Sequence, residues 1–195
     1  MKTFVPFYSQ KWDLFDWKQL GFTSFADAEY WERSSCGVLC LKMAIDGVRQ
    51  ESGQEPSPAL IEYIKTGVTI GAYHDATGWS HTGLVRLAKH FGVVAYRHER
   101  VSLQALHTAV QRKQLAIVSV RSGFEKKLSL KQKLQFWKRF GGHLALVVGS
   151  EERNGIVTGL YVHHTSIRPE YNWESRFIPT EVFKANFTGR CIFIK

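Results

Sequence analysis

The stretch Ser34-Ser35-Cys36-Gly37-Val38-Leu39-Cys40-Leu41-Lys42-Met43 constrains this chain more than any other. Two serines that favour N-cap positions precede an apolar run of Val38, Leu39, Leu41, Met43, Ala44 and Ile45, which predicts a core helix from Cys36 to about Gly47. A cysteine in the first turn meets free backbone N–H groups and the positive end of the helix dipole, which favour thiolate over thiol. Cys36 is therefore a candidate nucleophile. Cys40, one turn further on, reads as a small buried hydrophobe. The 195 residues, 44% apolar and 13% aromatic, suit a single globular domain over 1–195 with a real core.

Three cysteines at 36, 40 and 191 argue against a disulfide framework, because the number is odd and two are a single helical turn apart. Reduced thiols and an N-terminus without an apolar signal core point to the cytoplasm, and no run has membrane-spanning length. The net charge of +9 is concentrated between Arg121 and Phe140, where seven Lys or Arg residues face a single Glu. This basic insertion predicts an acidic partner or a solvated loop.

In chain order, "FVPFYSQ" at 4–10 reads as a short strand or extended arm ending in Gln10. Residues 11–31 show aromatics without periodicity and read as a loop packing Trp12, Phe15, Trp17, Phe22 and Trp31 onto the core. Helices are expected near 58–65, 80–91, 102–111 and 180–186. Strands are expected at 93–96, 115–120, from His143 to Gly149, 156–164, 176–178 and 190–194, with Asn154-Gly155 turning a hairpin. Helices first and an antiparallel sheet afterwards make the fold class α+β.

A cysteine nucleophile needs a proton partner and a group that orients it. Among eight histidines, His143 is the best placed: it opens the strongly apolar strand "HLALVVG" after the pair Gly141-Gly142. His81, near a helix start, reads as a capping or solvent-facing residue rather than a ligand. The segments "VPFYSQ", "SSCGVLCLKM" and "GGHLALVVG", in that order, resemble the double-glycine peptidases that process bacteriocin leaders, cysteine peptidases of the papain-like superfamily. "GWSHTGLVRLAKHFG" resembles the helix that follows the nucleophile helix in such proteins.

The resemblance implies a papain-like fold in which Cys36 is the nucleophile, His143 its proton partner and Gln10 a donor to the oxyanion beside the Cys36 N–H. It also implies Gly37, Gly142 and Trp79 along a cleft for a peptide or protein substrate, with no cofactor, metal, nucleic acid or membrane segment involved. The family carries Asp-Pro where this chain has His164-Thr165. A neutral histidine there can accept a hydrogen bond but lacks the carboxylate charge that favours imidazolium. Three arrangements follow: His164 orients His143, Asn172 does so as an amide, or Cys36 and His143 act as a dyad. A metal site at His143, His163 and His164 is disfavoured because adjacent strand residues face opposite sides. The implied activity is peptide hydrolysis through an acyl-enzyme, with an inactive binding protein and an amidase or acyltransferase as the rivals.

Overall fold

In a computed structural model the described residues are 2–121, 123–124 and 142–195. Of the seven basic residues between 121 and 140, all but Arg121 lie outside them.

A segment that is apolar at every position must be covered on both faces, and Leu115–Val120 is buried throughout. As β4 it takes a central place in a six-stranded antiparallel sheet with β3 (Ala95–His98), β5 (His143–Arg153), β6 (Ile156–His164), β7 (Trp173–Pro179) and β8 (Phe187–Ile194). The strand order is β3-β8-β4-β5-β6-β7. The residues 73–74 and 78–79 form a separate small hairpin, β1 and β2, which the sequence reading did not anticipate.

Helices α1 (Phe25–Ser34), α2 (Cys36–Glu51), α3 (Leu60–Thr69) and α4 (His81–His90) lie with the face that carries Ile117, Leu144, Leu146 and Ile192. Helices α5 (Leu103–Gln111) and α6 (Thr180–Asn186) lie with the opposite face, which carries Ala116, Val118, Ala145 and Cys191. The alternation of these residues along each strand is the period-two pattern of a sheet covered on both sides. This is the expected α+β layout, with the helix that opens at Cys36 packed on the antiparallel sheet.

Two expectations need correction. Residues 11–31 are not simply a loop: α1 starts at Phe25, where Ser24 Oγ accepts from the Asp27 N–H and the Asp27 carboxylate accepts from Thr23. Only Ala28, Trp31 and Glu32 of that helix are buried, a stripe too narrow to show as periodicity. Of the five aromatics placed in the core, Phe22 and Trp31 are buried, whereas Phe15 is 88% exposed. The second correction is that α2 continues past Gly47 to Glu51. Gly47 is not a cap but a crossing point, because a Cβ there would lie 3.1 Å from the Val5 side chain.

Val5 belongs to the N-terminal arm, which joins the sheet only at its start, through a bridge between Lys2 and Gly149 and a bond from the Thr3 N–H to the Val148 carbonyl. Beyond that it is held by side chains. The Tyr8 hydroxyl donates to Asp46 at 2.8 Å, Asp46 pairs with the buried Lys42 at 2.8 Å, and the Ser57 N–H donates to Asp46 at 2.7 Å. Burial would raise the Asp46 carboxyl, but the hydrogen bonds from Lys42, Ser57 and Tyr8 outweigh it and hold it below the usual range. Changing Asp46 to Ala would strand the Lys42 charge in the interior. It is expected to cost roughly 3 kcal/mol in denaturant unfolding, and an unchanged midpoint would contradict this account of how the arm is fastened.

Candidate active site

Cys36 is the first residue of α2, as the sequence predicts. Ser35 occupies the N-cap position but supplies no cap: its hydroxyl turns back to the Trp31 carbonyl of α1. The first intrahelical bond is from the Leu39 N–H to the Ser35 carbonyl, so the N–H groups of Cys36, Gly37 and Val38 point from the helix end without intrahelical partners. That is the geometry of an anion-stabilising end.

The expectation of an acidified thiol is not met. Burial pushes the Cys36 thiol up, and the backbone groups of Leu144, Gly37 and Cys36 itself pull it only part of the way back. Desolvation wins over the helix dipole because part of the wall at the α2 N-terminus is the apolar pair Trp79 and Leu144, each within 3 Å of a Cβ built on Gly37. The same contact explains why Gly37 is a glycine: packing leaves no room for a side chain. Gly142 is glycine for a similar reason, since its Cβ would approach the Val120 carbonyl to 2.8 Å.

The start of β5 runs along the first turns of α2. The Leu144 backbone reaches the Cys36 sulfur, and the Cys40 thiol donates to the Leu144 carbonyl at 3.5 Å. His143 is the residue before Leu144 in the chain, but the contacts of its ring are with His164 and the Thr165 backbone rather than with the thiol. Its ring makes a hydrogen bond with the Thr165 backbone, while Nε2 has no partner among the described residues, so the Thr165 bond is made by Nδ1. That bond favours protonation, yet burial is the larger effect and lowers His143 to about 4. The imidazole is neutral at pH 7, with a proton on Nδ1 and a lone pair on Nε2.

His164 does not hydrogen-bond to His143. The two rings stack, with centroids 4.4 Å apart and planes inclined by 31°. His164 Nδ1 donates to the Tyr171 carbonyl at 2.6 Å, and burial followed by the neighbouring His143 lowers it to about 3. Asn172 is occupied elsewhere: its oxygen accepts from the Ser166 N–H and its amide donates to Ser9 Oγ. Of the three arrangements, the geometry therefore gives the in-plane partner of His143 to a backbone carbonyl, with His164 as a stacked neighbour.

His163 points the other way along β6, as alternation requires. Its Nδ1 accepts from the Ser175 N–H at 2.9 Å, so Nε2 carries the proton and donates to the Val5 carbonyl at 3.0 Å. It fastens the arm rather than joining His143.

Gln10 is 3% exposed, and its Nε2 donates to the Glu32 carbonyl at 2.7 Å, four residues before Cys36. One amide hydrogen remains. Trp79 was expected in the substrate cleft; it is 8% exposed, and its Nε1 donates to the Ser34 carbonyl at 2.8 Å. Its role in the structure is to clamp the α1–α2 junction from behind. Among the described residues no group of three or more His, Cys, Asp or Glu side chains could hold a metal ion, and no helix is long and apolar enough to cross a membrane.

No protein-family model matches the sequence, and no curated protein matches it. Solved structures do. The chain is similar to a double glycine motif protease from an AMS/PCAT transporter, solved in complex with the leader peptide, over 99% of this chain and 93% of that one, at 16% identity and a TM-score of 0.55. It is similar to a C39-like peptidase from Bacillus anthracis over 83% of this chain and 88% of that one, at 15% identity and a TM-score of 0.56. The fold is that of the C39-like, double-glycine peptidase domains. The peptidase domain of Streptococcus ComA matches over 83% of this chain and 90% of that one, at 17% identity and a TM-score of 0.52. At these identities the likeness is one of architecture.

Within this C39-like fold, two features of the site escaped the sequence reading. The Thr165 carbonyl and the Leu144 backbone are main-chain groups, and main-chain groups carry no residue signature. The only hint was negative: Thr165 stands where the family has proline.

Proposed function

We infer that the protein is a cysteine peptidase acting through a Cys36 acyl-enzyme. The observation that supports this most is an uncapped helix N-terminus at which the Cys36 sulfur meets the backbone of Leu144, the residue after His143.

The raised thiol and the lowered imidazole define the mechanism. The resting site holds a neutral thiol and a neutral base, so proton transfer accompanies attack. His143 Nε2 takes the thiol proton as the sulfur bonds to the scissile carbonyl carbon, and for this the ring shifts from its stack on His164 toward the thiol. The oxyanion is met by the Cys36 N–H and by the remaining amide hydrogen of Gln10. His143 then passes its proton to the amine nitrogen as the C–N bond breaks. Water, losing a proton to His143, attacks the thioester and releases the acid and the thiol. His164 and Thr165 act as positioning groups for the ring, and the Thr165 carbonyl stands where a carboxylate would hold the Nδ1 proton more strongly. The substrate is a peptide. The structural neighbour solved with a leader peptide supports that class.

The neutral resting pair favours one second reading, a peptide-binding protein of very low turnover on the same fold. Incubation with a peptide library separates the two. New termini are expected from the wild type, falling by about 100-fold or more in His143→Gln, and equal yields from both proteins would contradict the assignment of the base.

A further inference from the structure

Along β7, Trp173 and Arg176 are three residues apart, an odd step that in a regular strand points two side chains to opposite faces. Here they share one face. Arg176 stands opposite Val162 and Trp173 opposite His164, so a single residue of β6, His163, faces two of β7, Glu174 and Ser175. This is a β-bulge, and its extra residue brings Trp173 onto the side of the sheet that carries Val162 and His164. The contacts agree. The Arg176 guanidinium lies 4.1 Å from the centre of the Trp173 ring, and that ring packs against His164 with centroids 5.2 Å apart. His164 in turn stacks on His143, so the bulge decides which side chain backs the imidazole stack.

The bulge is held from the other face of the sheet. Ser175 has a φ of 47°, in the left-handed region that disfavours any residue with a Cβ. Its N–H donates to Nδ1 of His163 at 2.9 Å, and a half-buried N–H that lost this acceptor would be left unsatisfied. The other ring nitrogen of His163 donates to the Val5 carbonyl of the N-terminal arm at 3.0 Å. The ring is 1% exposed and meets Phe7 edge-on, so it braces the bulge against a fixed arm. Two adjacent histidines thus serve opposite faces, His164 in the stack and His163 behind the bulge that shapes it.

We propose that His163 is a positioning residue of the peptidase site, holding through Nδ1 the Ser175 bulge that turns Trp173 onto His164 and so sets the stack from which His143 works. His163 acts through Trp173 and His164 rather than on the reacting atoms. The proposal rests on the reading of Cys36 and His143 as nucleophile and base.

The test replaces the two ring nitrogens one at a time. An Asn side-chain oxygen falls near Nδ1 and a Gln side-chain nitrogen near Nε2, so His163→Asn keeps the acceptor for Ser175, His163→Gln keeps the donor to Val5 and His163→Leu keeps neither. With a peptide substrate, kcat is expected close to wild type in His163→Asn and lower by about 10-fold or more in His163→Gln and His163→Leu, with KM little changed. At neutral pH the NMR contact between the Trp173 and His164 rings is expected to follow the same order. Glycine takes a positive φ at no steric cost. Adding Ser175→Gly to His163→Leu is therefore expected to recover much of kcat and of the ring contact, which a general loosening of the arm would not allow. A kcat kept in His163→Gln, equal losses in His163→Asn and His163→Gln, or no recovery with Ser175→Gly overturns the positioning role, while wild-type hydrolysis that depends on Cys36 leaves the peptidase reading standing. If wild type and Cys36→Ala hydrolyse the peptide alike, that reading itself fails.

Discussion

Replacing Cys36 with alanine is expected to remove hydrolysis, by a factor of about 1,000 or more, while leaving the fold intact. The side chain is small and partly exposed, so little packing is lost. The pH dependence of alkylation in the wild type is as informative. A thiolate–imidazolium pair would react at a constant rate from weakly acidic pH upward. Here burial lifts the Cys36 thiol and lowers His143 to about 4, so the iodoacetamide rate is expected to keep rising with pH beyond the ordinary thiol range. A plateau between about pH 5 and 7 would show an ion pair and contradict the neutral resting site.

The second large effect is on stability in acid. Burial lowers His81 and His143 to about 4 and His164 to about 3, and it also lowers His163. Unfolded histidines protonate near pH 6.5, so below that pH the unfolded chain binds protons that the folded chain refuses until its own lower values are reached. These groups therefore cost nothing above about pH 7, and stability falls as pH drops from about 6.5 toward 4. Asp46, held below the usual carboxyl range, adds a loss of the same sign at still lower pH. Together the melting temperature is expected to drop by on the order of 10 °C or more between pH 7 and pH 4.5. His164→Phe, placed among Phe124, Trp173 and the His143 ring, is expected to flatten that slope. An equal slope in both proteins would remove His164 from the explanation.

Much of this could be read from the residues. The core helix opening at Cys36, the wholly apolar β4, the Asn154-Gly155 hairpin and the helices after Ser80 and Ser102 all have local signals, in caps, turns and periodicity, that tertiary packing did not override. Helix α1 was missed because its few buried residues are scattered among polar ones. Gly47 misled because a glycine that makes room for Val5 looks like one that ends a helix.

At the site, the resemblance pointed to Cys36, His143 and Gln10, but it could not state what lies between them. The dipole of α2 is legible in the local sequence, whereas the thiol responds to everything packed against it, and Trp79 and Leu144 stand at that helix end from 43 and 108 residues away in the sequence. Likewise, His164 could be aligned with the missing carboxylate, but whether its ring would meet His143 edge to edge or face to face depends on the Tyr171 carbonyl, which holds its Nδ1.

Peptide hydrolysis by this protein requires that Cys36 become acylated. Intact-protein mass spectrometry of the enzyme quenched during turnover of an activated peptide ester tests it most directly. An added acyl mass is expected that maps to Cys36, builds up within the first turnover and is absent in Cys36→Ala. Hydrolysis that proceeds with no adduct on Cys36, or undiminished in Cys36→Ala, would contradict it.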